Sequence, residues 1–111
     1  MELVLNSNNA VSSFTMVGHA GAAPYGEDIV CAAVSAIVYT ALGSLEELCG
    51  IKNYSIDEGF VEWHMPDNVS EEKRNIADVI LKTMIIGLKQ IKYTPSYKKY
   101  ISIVERGGAL E

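Results

Sequence analysis

The chain is poor in the residues that make staples, metal clusters and basic surfaces. It has two cysteines, two histidines, three prolines and one tryptophan in 111 residues. Two cysteines allow at most one disulfide, which excludes a disulfide-framed secreted scaffold. Neither cysteine belongs to a C-x₂-C pair, and no H-x₃-H pair exists. His19, Cys31, Cys49 and His64 therefore do not read as a structural zinc site, and no metal or cofactor is expected. Basic residues are outnumbered, 9 against 14 acidic, for a net charge of −5. Nucleic acid held by simple electrostatics needs a basic face, so no direct nucleic-acid partner is expected. A basic peptide or protein remains compatible with that charge.

Long apolar runs are scarce too. The longest, Ile29 to Leu42, holds Ser35 and Thr40 and is flanked by Glu27-Asp28 and Glu46-Glu47. It suits a core helix rather than a membrane span. The opening MELVLNSNN lacks a basic region followed by an apolar one, which reads as no secretory signal, reduced thiols and a cytoplasmic protein. There is no repeat, no low-complexity segment and no linker. Residues 1–111 read as a single domain, long enough to bury a core without staples.

What is present is 49% hydrophobic and 21% charged, an ordinary globular balance. Glu2–Leu5 and Val11–Val17 alternate as half-buried strands around the turn cluster Ser7-Asn8-Asn9, a hairpin. Gly18 to Gly26 has no apolar periodicity and reads as a slim loop. Asp28 reads as the N-cap of a helix running to about Cys49, with Glu27 favourable beside it. Val30, Val34, Ile37, Ala41, Leu45 and Leu48 form its stripe, widened by Ile29, Ala33 and Leu42. Gly50 is the stop. Lys52–Asp57 and Phe60–Met65 make a second hairpin about Glu58-Gly59. Ser70 caps a second helix, with Glu71 and Glu72 in its first turn. Its apolar face is Ile76, Val79, Ile80, Thr83, Met84, Leu88 and Ile91, and Pro95 ends it. Tyr97–Val104 reads as a last strand and Glu105–Glu111 as a frayed tail. The order is ββαββαβ. The expected class is α+β: a five-stranded sheet, antiparallel or mixed, packed with two helices.

Chemistry concentrates in Gly18–Ser35, GHAGAAPYGEDIVCAAVS. With Asp28 as cap, Cys31 falls in the first helical turn, where the unsatisfied amides favour a thiolate. His19 can take the thiol proton and later protonate a leaving amine, and first-turn amides can hold an oxyanion. Gly21 and Gly26 let the intervening loop, with Pro24 and Tyr25, close over a substrate. Asp28 can orient His19 or only cap the helix. Ser35, one turn on from Cys31, can bond near the sulfur or back to a helical carbonyl. Each residue has a plainer reading: a lone cysteine on an apolar helix is ordinarily a small buried hydrophobe. Cys49 beside Gly50 reads as structural, and His64 after Trp63 as surface or packing. Tyr93, Tyr97 and Tyr100 among Lys92, Lys98 and Lys99 suit core or dimer contacts better than stacking on single-stranded nucleic acid. GAAPYG lacks the Lys-Ser/Thr of a phosphate cradle.

Gly18-His19-Ala20, followed by Gly26-Glu27-Asp28-Ile29-Val30-Cys31-Ala32-Ala33-Val34-Ser35, closely resembles the signature of the bacterial ribosomal-processing cysteine protease family (Prp). Length, element order and opening hairpin fit as pattern. The resemblance implies a cytoplasmic endopeptidase whose dyad is Cys31 (nucleophile) and His19 (general base and acid). It implies a substrate, the short N-terminal extension of protein twenty-seven of the large ribosomal subunit. The cut follows a bulky apolar or aromatic pair and precedes small and basic residues. It also implies a homodimer and a loop, residues 19–26, that substrate orders. Two other classes stay open from the residues: a non-enzymatic ribosome-associated binding module and a redox-sensing thiol protein.

Overall fold

The computed structural model describes residues 2–8, 10–18, 25–57 and 59–107, with the backbone alone at 8 and 25–28. Strand β1 is Glu2–Asn8 and β2 Ala10–Val17; helix α1 is Tyr25–Cys49; β3 is Tyr54–Asp57 and β4 Phe60–His64; helix α2 is Glu71–Lys92; a 3₁₀ turn at Lys98–Tyr100 leads to β5, Ser102–Gly107. The five strands form one mixed sheet in the order β3-β4-β2-β1-β5. The α+β class and the ββαββαβ order hold.

The pairing sets the direction of every connection. β2 is antiparallel to both β1 and β4, β3 is antiparallel to β4, and β5 is parallel to β1. Hence β2 and β3 run the same way, joined by α1 across β4, and β4 and β5 run the same way, joined by α2 across β2 and β1. A parallel connection needs such a crossover, and each helix supplies one.

The alternation read in the sequence appears as one buried sheet face: Leu3, Leu5, Val11, Phe14, Met16, Val61 and Trp63 all point under the helices. Phe14 and Trp63 are cross-strand partners with stacked rings 6.0 Å apart. The first hairpin runs further than its apolar pattern. Both strands continue into the expected turn cluster, pairing Asn8 with Ala10 past a register shift at Asn6/Ser7. Polar side chains hold it there: Asn6 Nδ2 donates to Ser13 Oγ at 2.9 Å, and Ser12 Oγ to the Asn6 carbonyl at 3.0 Å. Val11 N–H reaches across to Asp78 Oδ1 on α2 at 3.1 Å.

Four expectations need correcting. First, α1 begins at Tyr25, so Asp28 lies inside the helix and does not cap it, and Tyr25 and Gly26 belong to the helix rather than to a loop. The overlooked sequence signal is Pro24, whose fixed φ and missing N–H suit a helix start; Glu27 and Asp28 then fall in the first turn, where negative charge meets the positive helix end. Second, the buried face of α1 is Val30, Val34, Val38, Ala41, Leu42, Leu45 and Cys49, while Ile29 and Leu48 are exposed. Third, α2 is turned by about one residue, 100°. It buries Ala77, Leu81, Met84 and Leu88 and leaves Ile76 and Val79 exposed, together with Thr83. α1 carries no charge from Ile29 to Leu45, and the apolar arc of α2 is wider than the face it buries, so periodicity alone does not choose the face; the sheet does. Fourth, Tyr97–Tyr100 is turn and 3₁₀, and β5 extends through Gly107 into the segment read as tail. Its ladder to β1, from Glu2 with Ser102 to Ser7 with Gly107, satisfies the backbone without apolar alternation.

The ends of the helices follow the sequence. Gly50 takes φ +68°, its N–H bonds the Glu46 carbonyl at 2.9 Å, and Ile51 N–H reaches Leu45 at 3.1 Å. Ser70 Oγ accepts the Lys73 N–H at 3.3 Å, with Glu71 and Glu72 behind it. Ile29–Cys49 has a mean hydropathy of 1.7 and the length to cross a membrane. Its inner side is nonetheless packed in the core.

Candidate active site

Strand β2 delivers the chain to the site. Its last residue, Val17, pairs with Phe60 of β4, and Gly18 N–H then bonds the Gly59 carbonyl at 2.9 Å. Gly18 has φ +129°, a left-handed conformation that glycine adopts without strain. Gly59, at φ +71° in the β3–β4 turn, is therefore a positioning residue for the strand end. Reading motifs along the chain missed it, although Glu58-Gly59 marks the turn. His19, Gly21 and Pro24 lie outside the described residues; His19 directly follows the anchored Gly18.

Helix α1 then runs back along the sheet. Its C-terminal end lies near the start of β3, where the Tyr54 hydroxyl donates to Glu46 Oε1 at 3.4 Å. Its N-terminal end therefore stands at the C-terminal end of β2, the place where open sheets with crossover helices put their ligand sites. Cys31 lies there, about 22 Å along the axis from Glu46 and on the flank of the helix turned from α2.

Cys31 is 3% exposed. It is the seventh helical residue, not the third. Its own amide is thus inside the i→i−4 ladder, and the field of the helix end is largely spent by that distance. The expected first-turn thiolate stabilisation and an oxyanion hole made from amides at Cys31 do not survive this geometry. Ser35 is half-buried one turn further, on the same flank as Cys31.

The other candidates lie elsewhere. Cys49 is about 27 Å along α1 from Cys31, and neither cysteine is in a disulfide. Cys49 belongs to the contiguous core, and its Sγ faces the Lys73 carbonyl at 3.6 Å. Burial pushes its thiol above the ordinary value of 9.0, partly countered by the Lys73 ammonium. The native state holds this proton more tightly than the unfolded chain does. That contribution to stability is fully present below the unfolded value and is lost as pH rises through the native one. His64 pairs with Ser13, well back along β2 from Gly18, and is exposed, its Nε2 3.2 Å from Asn53 Nδ2. Among the described residues, no three His, Cys, Asp or Glu side chains gather into a metal-holding group. Tyr97 and Tyr100 pack on the core, Lys99 Nζ sits 5.2 Å from the Tyr100 ring centre, and Tyr93 is exposed.

The sequence model of the family described as cysteine protease Prp matches residues 1–102. The ribosomal processing cysteine protease Prp of Bacillus subtilis (strain 168) is 32% identical over 88 residues, covering 77% of this chain and 79% of its own. The crystal structure of an essential ribosomal processing protease Prp from Staphylococcus aureus, in complex with a substrate peptide, superposes with a TM-score of 0.79 at 24% identity. It covers 95% of this chain and 98% of that one. The same S. aureus protease with a covalently linked product peptide gives a TM-score of 0.68 at 26% identity, over the same shares. With the family model spanning nearly the whole chain and a relative above 30% identity, the chain belongs to the cysteine protease Prp family and is a cysteine peptidase.

Proposed function

We propose that this chain removes the short N-terminal extension of protein twenty-seven of the large ribosomal subunit, in the cytoplasm, by acyl transfer through Cys31 and His19. The observation that carries the reading is the placement of Cys31 on the N-terminal part of α1, at the end of the sheet where β2 hands the chain to Gly18 and His19. Relatives named for ribosomal processing, one of them holding a covalently linked product peptide, support a peptide substrate and a covalent intermediate.

In this mechanism His19 takes the Cys31 thiol proton as the sulfur adds to the carbonyl carbon of the apolar residue before the cut. Electrons move onto the carbonyl oxygen as the tetrahedral intermediate forms. Collapse breaks the C–N bond, and His19 gives its proton to the leaving amine. Water, deprotonated by His19, then hydrolyses the thioester and regenerates the thiol. Cys31 stands beyond the reach of the helix-end field, so thiolate formation depends on His19. The excess of acidic over basic residues suits the basic residues downstream of the cut.

The test is incubation with the extended ribosomal protein and mass spectrometry of its N-terminus. One new, shortened N-terminus is expected; an intact substrate after many turnover times defeats the reading. Iodoacetamide separates the enzyme from the binding-module reading. Near neutral pH Cys31, activated by His19, is expected to alkylate at least about tenfold faster than Cys49, which is equally buried but whose thiol is held protonated. Equal, slow labelling of both would favour a non-catalytic thiol.

Gly18 offers a third check. A Cβ at φ +129° is strained, so Gly18→Ala is expected to cost about 1–3 kcal/mol and to slow cleavage by more than about tenfold through displacement of His19. Urea unfolding reads the first effect and the substrate assay the second.

A further inference from the structure

The helices cover one face of the sheet, and the register fixes what the opposite face carries. Beside the anchored Gly18 a row of cross-strand partners, Asp57, Phe60, Val17, Glu2 and Ser102, crosses all five strands. Its members alternate along their strands with the buried Val61, Met16 and Leu3, so they point away from the helices. Val17, 47% exposed, and the half-buried Phe60 sit side by side, just before Gly18 and just after Gly59. A carboxylate stands on either side of this apolar pair, Asp57 on β3 and Glu2 on β1. Glu62, opposite Thr15, adds another one pleat behind Phe60. Among the described residues neither Glu2 nor Glu62 makes a side-chain hydrogen bond or ion pair. On the described strands of this face Arg106 is the one Lys or Arg, and it pairs with Asn6 two rows away on the edge strand β5.

We propose that this row is an exosite for the substrate protein. The chain that follows the cut crosses the open face, its Lys and Arg side chains meeting Glu2, Asp57 and Glu62 and its apolar ones resting on Val17 and Phe60. The inference rests on the ribosomal-protein reading above and adds where that substrate is held away from Cys31. Val17 is two residues from His19 in the chain, so this is the row of the open face nearest the dyad. Proteins that lie on RNA are rich in Lys and Arg, which neutralise its phosphates. Carboxylates around an apolar pair answer that chemistry. The size of the face favours an extended chain. Five strands span about 19 Å, the reach of roughly six extended residues. Three rows of side chains give about 400 Å², half the ~800 Å² per partner of a standard interface between folded proteins. A second copy suits the face less well, because a two-fold contact confronts these carboxylates with their own copies. Nucleic acid and an anionic bilayer meet the same repulsion.

The experiment compares two substrates, the extended ribosomal protein and a short peptide that stops soon after the cut, on the wild type, Glu2→Lys and Glu62→Lys. Both carboxylates are exposed, so circular dichroism is expected to show folded variants. Either variant is expected to lower kcat/KM for the whole protein by about five- to tenfold, through KM, and to leave the short peptide within about twofold of the wild type. Glu47→Lys, exposed at the far end of α1, makes the same change of net charge and is expected to match the wild type on both. Raising NaCl from about 0.05 to about 0.3 M is expected to slow the wild type on the whole protein and Glu62→Lys much less. Equal losses on both substrates would place the effect at the catalytic centre instead, and unchanged kinetics on the whole protein would remove the exosite. A wild type that cleaves neither substrate would defeat the peptidase reading. Titration of Cys31→Ala with the extended ribosomal protein reads the exosite without cleavage, and an affinity unchanged by adding Glu62→Lys would overturn it. A shift in the sedimentation of Glu62→Lys by itself would assign the face to contact between copies.

Discussion

Cys31→Ala and Cys31→Ser are each expected to leave a folded protein whose cleavage of the extended ribosomal protein falls by at least about a thousandfold, the scale of losing a covalent nucleophile. The thiol is buried but small, and its flank of α1 is anchored by Val30, Val34 and Val38, so removing one sulfur leaves the helix in place. Serine is the sharper of the two. It keeps the shape and the proton but offers a far weaker nucleophile to the same His19. His19→Ala is expected to behave alike, because a thiol beyond the first helical turn has little of the helix-end field to ionise it. Mass spectrometry of the substrate N-terminus measures all three, and melting curves confirm the fold. Wild-type turnover in Cys31→Ser would show that the nucleophile is another group.

Trp63→Ala is expected to lower stability by about 3–5 kcal/mol, or roughly 12–20 °C in melting temperature for a chain of this size. Trp63 is fully buried in β4, stacked on Phe14 at 6.0 Å, and is the largest side chain of the core. Its removal opens a cavity directly beneath the helices. The indole has a second property: Nε1 is buried without a hydrogen-bond partner. An unmade buried hydrogen bond costs about 1–3 kcal/mol. Trp63→Phe deletes that N–H along with part of the ring, so the two effects oppose and the net loss is expected to stay within about 2 kcal/mol. Urea unfolding of the pair decides. If phenylalanine costs as much as alanine, removing the orphan N–H brings no relief and the remaining ring does not replace the packing of the indole.

The residues that punctuate the chain were legible because their effects are local. Gly50 ends α1 since only a left-handed residue can turn out of the helix there, and Ser70 starts α2 through its own hydroxyl. The alternation of Leu3, Leu5, Phe14 and Met16 shows its buried face from the period of a strand alone. His19 and Cys31 could be named as the candidate dyad from the sequence because the motif carrying both is contiguous; His19 itself lies outside the described residues. Tertiary structure decided what several local patterns leave degenerate. Asp28 offers a start for α1, but the helix is already formed at Tyr25, which moves Cys31 from the third to the seventh position. Two apolar stripes compete on α2, and packing on the sheet selects Ala77, Leu81, Met84 and Leu88 over Ile76, Val79 and Thr83. β5 has little alternation to announce it; it forms because β1 offers a free edge whose backbone groups need partners. A period or a cap acts within a few residues and is written in the sequence, whereas the choice among equally apolar faces depends on what lies opposite, and that exists only once the sheet is assembled.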